Sequence, residues 1–322
     1  MKRELPVNLS TDKGKRNILE LRKPTIEDKK RLGKYYENVP YMNCELTFAN
    51  FYLWHEHYHT FYVEMDGFLI FISEHDGKRY ASMPIGSGDK KALFEKLAKE
   101  FKTDGYEFHL NCITHQMYEE IEEMFPGMFE IEYERDYADY IYSVEKLTFL
   151  KGKKLHGKRN HIANFKKNND WVYEDITDEN VNECIDMAYR WRCMNGCDGD
   201  PEKHAELCVT INALSERKEL GLTGGLIRAD GNVIAFTLGE KAGGNAFNIH
   251  IEKAYADIQG AYPMINQQFV EHNLSSYDYV NREEDVGSEG LRKAKLSYYP
   301  DILLEKGFTT LTEKGQKYFY GE

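Results

Sequence analysis

Between residues 60 and 125 the apolar positions change period twice. FYVEM, FLIFISE and RYASMPIG, at 61–65, 68–74 and 79–86, are short apolar or alternating runs parted by Asp66-Gly67 and Asp76-Gly77. That combination predicts a three-stranded meander with tight turns. In DKKALFEKLAKEFKTDG, Leu93, Phe94, Leu97 and Phe101 recur at helical spacing before Gly105, which predicts a helix with a glycine stop. YEFHLNCI then reads as a strand, HQMYEEIEEMF as a helix, and FEIEYE and YADYIYS as two further strands.

The second half repeats this order. GLTGGLIRA and NVIAFTLGEK meet at Asp230-Gly231, and AFNIHIEK follows a Gly243-Gly244 turn. A helix over 260–272, the strand YDYVN, the helix SEGLRKAKLSYY and a last strand around LLEKGFTTL complete the copy, with DENVNECIDMAYRWRC as a helix in front. Two passes through strand, strand, strand, helix, strand, helix, strand predict an α/β protein of two mixed sheets, each flanked by helices. The expected division is a domain over 1–150 and a second over 151–322, the latter led by a basic helix at 151–168.

Composition narrows the class. With 322 residues, 41% of them hydrophobic, the chain is long enough for two ordinary cores. The longest apolar run, FLIFI at 68–72, is far short of the roughly 18–20 residues a membrane span requires. The opening MKRELPVNLSTDKGKRN has no apolar stretch that could serve as a signal peptide, so a cytoplasmic location is expected. Six scattered cysteines in a chain of this size are expected as reduced thiols, and Cys193-x3-Cys197 fits no common zinc spacing. His55, His57 and His59 would share one face if extended, a spacing known from metal sites, or else mark an exposed edge.

A net charge of −12 excludes a surface built throughout for nucleic acid. Yet residues 151–168 hold Lys151, Lys153, Lys154, Lys158, Arg159, Lys166 and Lys167 and no carboxylate. The outward lysines read as a phosphate-tracking patch for RNA or as a solvated face. On a helical wheel Arg159 falls with Leu155 and Ile162, and its planar fork suits an anionic substrate group or a salt bridge between the halves.

The stretch NREEDVGSEGLRKAKLSYYPDILLEKG, 281–307, poses a sharper question. Arg292 and Lys295 sit on a short helix among Leu291, Ala294, Leu296, Tyr298 and Tyr299, with apolar neighbours on both flanks that predict burial on two faces. Cations in such company call for an anion: a phosphate, a carboxylate or the oxyanion of acyl transfer on one reading, Glu283, Glu284, Asp285 or Glu289 on the other. Asp285 could orient or deprotonate an attacking amine, or act as a cap or ion-pair partner. Alternation in the strand that carries Asn248, His250 and Glu252 would set all three on one sheet face.

LTFANFYLW (46–54), KKLHGKRNHIANFKK (153–167) and the set Asn281, Asp285, Gly290-Leu291-Arg292, Lys295 and Ser297-Tyr298-x-Pro300 resemble the C-terminal catalytic domain of bacterial phosphatidylglycerol lysyltransferases, and more closely its stand-alone relatives. The resemblance spans about residues 40–308. It implies tandem GNAT-type acyltransferase folds, similar to peptidoglycan aminoacyltransferases, and a donor that is aminoacyl-tRNA rather than acyl-CoA, with tRNA on the basic helix and a small-molecule or peptide acceptor. The candidate catalytic residues are Asp285, Arg292 and Lys295. Arg159, Asn160, Asn281, His250, Glu252, Tyr298 and Gly260 are the candidate substrate-binding residues, and no metal ligand is assigned. One departure bears on the donor. Where a GNAT acetyltransferase holds the CoA pyrophosphate on Arg/Gln-x-x-Gly-x-Gly/Ala, this chain reads Asp257-Ile258-Gln259-Gly260-Ala261-Tyr262, with a carboxylate first and a bulky ring last.

Overall fold

The turn dipeptides set the strands. Asp66-Gly67, Asp76-Gly77 and Asp230-Gly231 all take positive φ at both residues, the conformation that lets a two-residue turn follow the twist of its strands. The fourth expected turn, Gly243-Gly244, shifts by one residue, because Gly244 and Asn245, not Gly243, carry the positive φ. The computed structural model describes residues 19–194 and 201–321. The opening stretch MKRELPVNLSTDKGKRN and Cys197 of the cysteine pair lie outside the described residues.

In chain order the first half runs α1 (Asp28–Tyr36), α2 (Phe48–Trp54), β1 (Thr60–Met65), β2 (Phe68–His75), β3 (Lys78–Ala81), β4 (Ile85–Gly86), α3 (Lys90–Thr103), β5 (His109–Thr114), α4 (His115–Met124), β6 (Phe129–Ser143) and α5 (Val144–Phe149). The second runs α6 (His156–Asn168), β7 (Trp171–Asp175), α7 (Val181–Met194), α8 (Pro201–Ser215), β8 (Thr223–Ala229), β9 (Asn232–Lys241) and β10 (Ala246–Ala254). It ends with α9 (Ala261–Asn273), β11 (Tyr279–Asn281), α10 (Glu289–Leu296), β12 (Ile302–Leu311) and α11 (Glu313–Tyr320). In α3 the helical spacing works as expected: Leu93, Phe94, Leu97, Ala98 and Phe101 are buried, and the Asp89 carboxylate caps the Ala92 N–H.

The mixed α/β layering is present, and the two expected sheets are fused into one. The order is β1-β2-β3-β5-β12-β6-β11-β10-β9-β8-β7, with β4 on β2. Two features join the halves. FEIEYE and YADYIYS form one 15-residue strand, β6, long enough to carry β12 along its length and β11 at its end. β12, from the second half, lies between β5 and β6 of the first. One core packs α1, α2, α3 and α7 on the sheet, with Phe48, Phe94 and Phe101 at its centre. The other lies under α5, α6 and α9, around Phe165, Phe247 and Phe269.

Two local expectations change. His55, His57 and His59 are not on a strand, since LTFANFYLW is helical and the three follow α2 in a turn. There His55 Nδ1 bonds the Tyr52 carbonyl at 2.7 Å and His57 packs edge-on against Trp54, so no shared metal-binding face exists. In α10 only Lys295 is buried, while Leu291 and Leu296 are exposed; the helix is anchored at one point rather than buried on two faces.

Candidate active site at the splayed strands

β10 and β11 run parallel but pair only over Ala246–Asn248 and Tyr279–Asn281, after which they part. A bulge at His250 changes what lines the gap. The register of β10 against β9 skips from Ile249 to Ile251, so the parity of the strand reverses there. Phe247 and Ile249 pack under α6 and α9, whereas Ile251 joins the opposite core. His250 and Glu252 therefore face opposite sides of the sheet, where plain alternation had set them together with Asn248.

On the α2 side the His250 side chain is 2% exposed, with Nδ1 2.7 Å from Glu283 Oε1 and Nε2 3.4 Å from Glu240 Oε1. Burial opposes its charge, but the two carboxylates outweigh burial and push its pKa up to about 9. Glu240, which also accepts from Lys29 and the Ala49 N–H, is held down at about 2 by His250 and Lys29 against the effect of burial. This is a bridging imidazolium, not a base.

On the α9 side Glu252 accepts from Arg282 Nη2 at 2.7 Å and from Asn266 Nδ2 at 2.9 Å. A carboxylate only accepts, so the Asn266 amide must turn its nitrogen to Glu252 and its oxygen away. Two cations lie over the buried Tyr298 ring: Arg282 is 4.9 Å from its centroid and Lys158 Nζ 4.0 Å. Burial first, then Arg282, lower the Lys158 pKa to about 8 against the pull of Glu252.

The remaining candidates are brought near the gap but are internally matched. Asp285, fully buried, accepts from Arg292 Nε and Nη2 at 2.9 and 2.6 Å, Tyr140 Oη at 2.6 Å, Arg135 Nη1 at 3.2 Å and the Gly287 N–H at 3.0 Å. Burial favours its protonated form, but Arg292 and Tyr140 outweigh burial and hold it well below the usual carboxylate range, which makes it a very weak base. Arg292 is shared between Asp285 and Asp136. Lys295 donates to the carbonyls of Arg282 at 2.6 Å, Glu283 at 3.1 Å and Glu284, and so pins the loop after β11. The chain thus supplies carboxylates to Arg292 and carbonyl oxygens to Lys295. Asn281 likewise ties that loop to the Met42 carbonyl and Asp139, both at 2.8 Å.

Arg159 turns away from the cleft. Its Nη1 donates to the Leu150 and Gly152 carbonyls, where Leu150 ends α5 in a left-handed conformation that leaves acceptors unmatched. Asn160 is exposed and bonds His156 at 3.1 Å, one turn back. Gly260, at φ 90°, lies against α6, and a Cβ there would stand 2.6 Å from the His161 carbonyl. The backbone that would approach a pyrophosphate is thus covered by the basic helix. Gly260→Ala is expected to destabilise the fold by about 1–3 kcal/mol, from the left-handed backbone and the clash; an unchanged urea midpoint would contradict this packing.

A second buried cluster was not anticipated from the sequence. Lys306 Nζ lies 2.7 Å from Asp139 Oδ1, 2.5 Å from Glu45 Oε1, 3.5 Å from Glu284 Oε2 and 3.7 Å from Cys44 Sγ. Among the described residues Cys44, Asp139 and Glu284 are the one set with metal-ligand spacing, and the ammonium already stands among them. Burial drives Asp139 up to about 7, with Glu45 and Glu284 adding to it against Lys306.

Comparison with known proteins places this geometry. A structure of a protein of unknown function from Bacteroides thetaiotaomicron is similar over 92% of this chain and 100% of its own, at 37% identity and TM-score 0.85. The structure of L-PGS from Bacillus licheniformis, at 13% identity, covers 89% of this chain and 92% of its own with TM-score 0.60. FemX, at 9% identity, covers 94% and 100% with TM-score 0.56. At such low identity the last two show a shared fold alone. An uncharacterized protein of Mycoplasmoides gallisepticum, MYCGA3080, is 26% identical over 175 residues, a match that spans 52% of this chain and only 54% of that protein's length. No described helix is long and apolar enough to cross a membrane. Residues 36–306 match the family described as phosphatidylglycerol lysyltransferase, C-terminal, and with most of its length so matched the chain belongs to that family.

Proposed function

We propose that this chain is an acyltransferase that moves an aminoacyl group from aminoacyl-tRNA to an amine or hydroxyl acceptor, with the reaction at the splay between β10 and β11. The acceptor nitrogen or oxygen bonds to the ester carbonyl carbon as the carbon–oxygen bond to the tRNA ribose breaks, and the acceptor's proton ends on the ribose oxygen. Positioning and charge stabilisation would provide most of the rate. The observation that carries the reading is the junction of the basic segment with the gap: Lys158 of α6 lies over Tyr298 beside Arg282, and Lys154 lies 5.0 Å over the neighbouring Tyr299. Family membership supports the aminoacyl class, and the cover of α6 over Gly260 favours a donor other than acyl-CoA.

Charged tRNA pools incubated with the protein should show deacylation or transfer for at least one amino acid; absence of both binding and turnover across all of them would remove the proposal. The triple change Lys153→Ala, Lys154→Ala, Lys167→Ala is expected to weaken tRNA binding and to reduce the salt slope of binding by roughly 0.7–0.9 per lysine. Filter binding from low to high salt measures it. An unchanged slope would mean that these lysines form only a solvated face.

The internal matching of Asp285, Arg292 and Lys295 favours a second reading, a non-catalytic anion- or nucleic-acid-binding module on the same fold. Under it tRNA or an anionic metabolite binds and no ester is turned over.

A further inference from the structure

Buried cations elsewhere in this protein have partners. Lys306 has Asp139 and Glu45, Lys295 has three carbonyls, and Arg79 has Asp104 at 2.6 Å. The pair beside Tyr298 differs. Arg282 uses Nη2 on Glu252, while its Nη1 is buried without a hydrogen-bond partner. Asn266 Oδ1 is also buried and unmatched, on the other arm of the same carboxylate. Lys158 meets the Tyr298 ring face and, among the described residues, has no carboxylate in ion-pair contact. Glu252 already accepts from two donors and carries a single charge, so one positive charge is left over in a partly buried space. Such a charge is costly unless something negative joins it.

We infer that Lys158 and Arg282, both over the Tyr298 ring, form a binding site for one phosphate group of the substrate. The two donors come from different elements, α6 and the end of β11, so they approach from different directions, which suits the tetrahedral oxygens of a phosphate better than a flat carboxylate. A phosphodiester carries the single charge needed to balance the set. Asn266 Oδ1 would accept a hydroxyl or amine proton on the same ligand. The inference rests on the acyl-transfer reading only for what the phosphate belongs to: the 3′ end of tRNA, or a phosphate-bearing acceptor.

Binding to the full chain can be followed by calorimetry at low salt, with sulfate as the first probe because its charge is constant across neutral and alkaline pH. One-site binding is expected at pH 7, weakening about tenfold by pH 9.5 as Lys158 loses its proton. Lys158→Met should weaken it about tenfold at pH 7 and flatten the pH dependence. Lys96→Met, which removes an ammonium paired with Asp66 on the first half, should leave it unchanged. Two further probes identify the source: tighter binding of the dinucleotide CpA marks an RNA end, and tighter binding of glycerol 3-phosphate marks an acceptor. No binding of any probe below about 10 mM, or binding that Lys158→Met leaves intact, overturns the inference. Sulfate binding that survives alongside failed aminoacyl transfer would count against the acyl-transfer reading alone.

Discussion

Lys306→Met is expected to destabilise the protein by about 3–5 kcal/mol, the range for removing one partner of a buried ion pair. The side chain of Lys306 is 1% exposed and that of Asp139 is 0%, so water cannot replace the lost ammonium. Asp139 would remain with its bonds from the Cys44 N–H and Asn281, and Glu284 would keep only the more distant influence of Lys295. Chemical denaturation at pH 7 measures the loss. The double change Lys306→Met, Asp139→Asn should recover part of it, because the amide removes the stranded charge. A single variant that loses less than about 1 kcal/mol would show that the cluster takes in water and is not sealed.

The second large effect concerns pH. The folded pKa of His250, about 9, lies above its ordinary 6.5. The charged imidazole therefore contributes its full stabilisation below pH 6.5, and this is lost as pH rises through 9. The difference corresponds to roughly 3 kcal/mol at most. Wild type should thus lose that much relative to His250→Gln between pH 6.5 and 9, the two curves converging at the alkaline end. Parallel curves over that window would mean that Glu240 and Glu283 do not share a proton-bearing ring. Because Glu283 belongs to the loop next to Arg282, the same titration is expected to loosen the gap between β10 and β11.

Local signals were readable where one residue type decides the outcome. The Asp-Gly turns, the α3 stripe and most strands of both halves follow from backbone preference and apolar spacing alone, whereas β7 and the fusion of the sheets do not. The quoted family stretches border the proposed phosphate site, since Arg282 follows Asn281 and Lys158 precedes Arg159. In α6 a wheel gives direction but not reach: Arg159 does lie on the inner side, yet its long side chain returns to the unmatched carbonyls at the end of α5. In β10 a single bulged residue separates His250 from Glu252, and nothing in AFNIHIEK marks it. Asp285, Arg292 and Lys295 read correctly as charges needing partners, but whether a partner is a visitor or a neighbour depends on contacts such as Arg135 and Tyr140 that lie about 150 positions away in sequence. The Lys306 cluster gave no sign, because its members come from four separate segments and each looks ordinary in its own.

The insertion of β12 between β5 and β6 has a consequence for biogenesis. A nascent chain that has released everything up to β11 still lacks the strand that belongs in the middle of its earliest sheet. Two unpaired edges then face solvent until residue 311 clears the ribosome, a window in which intermolecular pairing competes with completion. Such long-range closure slows folding, so the yield of this protein should depend on translation speed and holdase capacity more than its equilibrium stability would indicate.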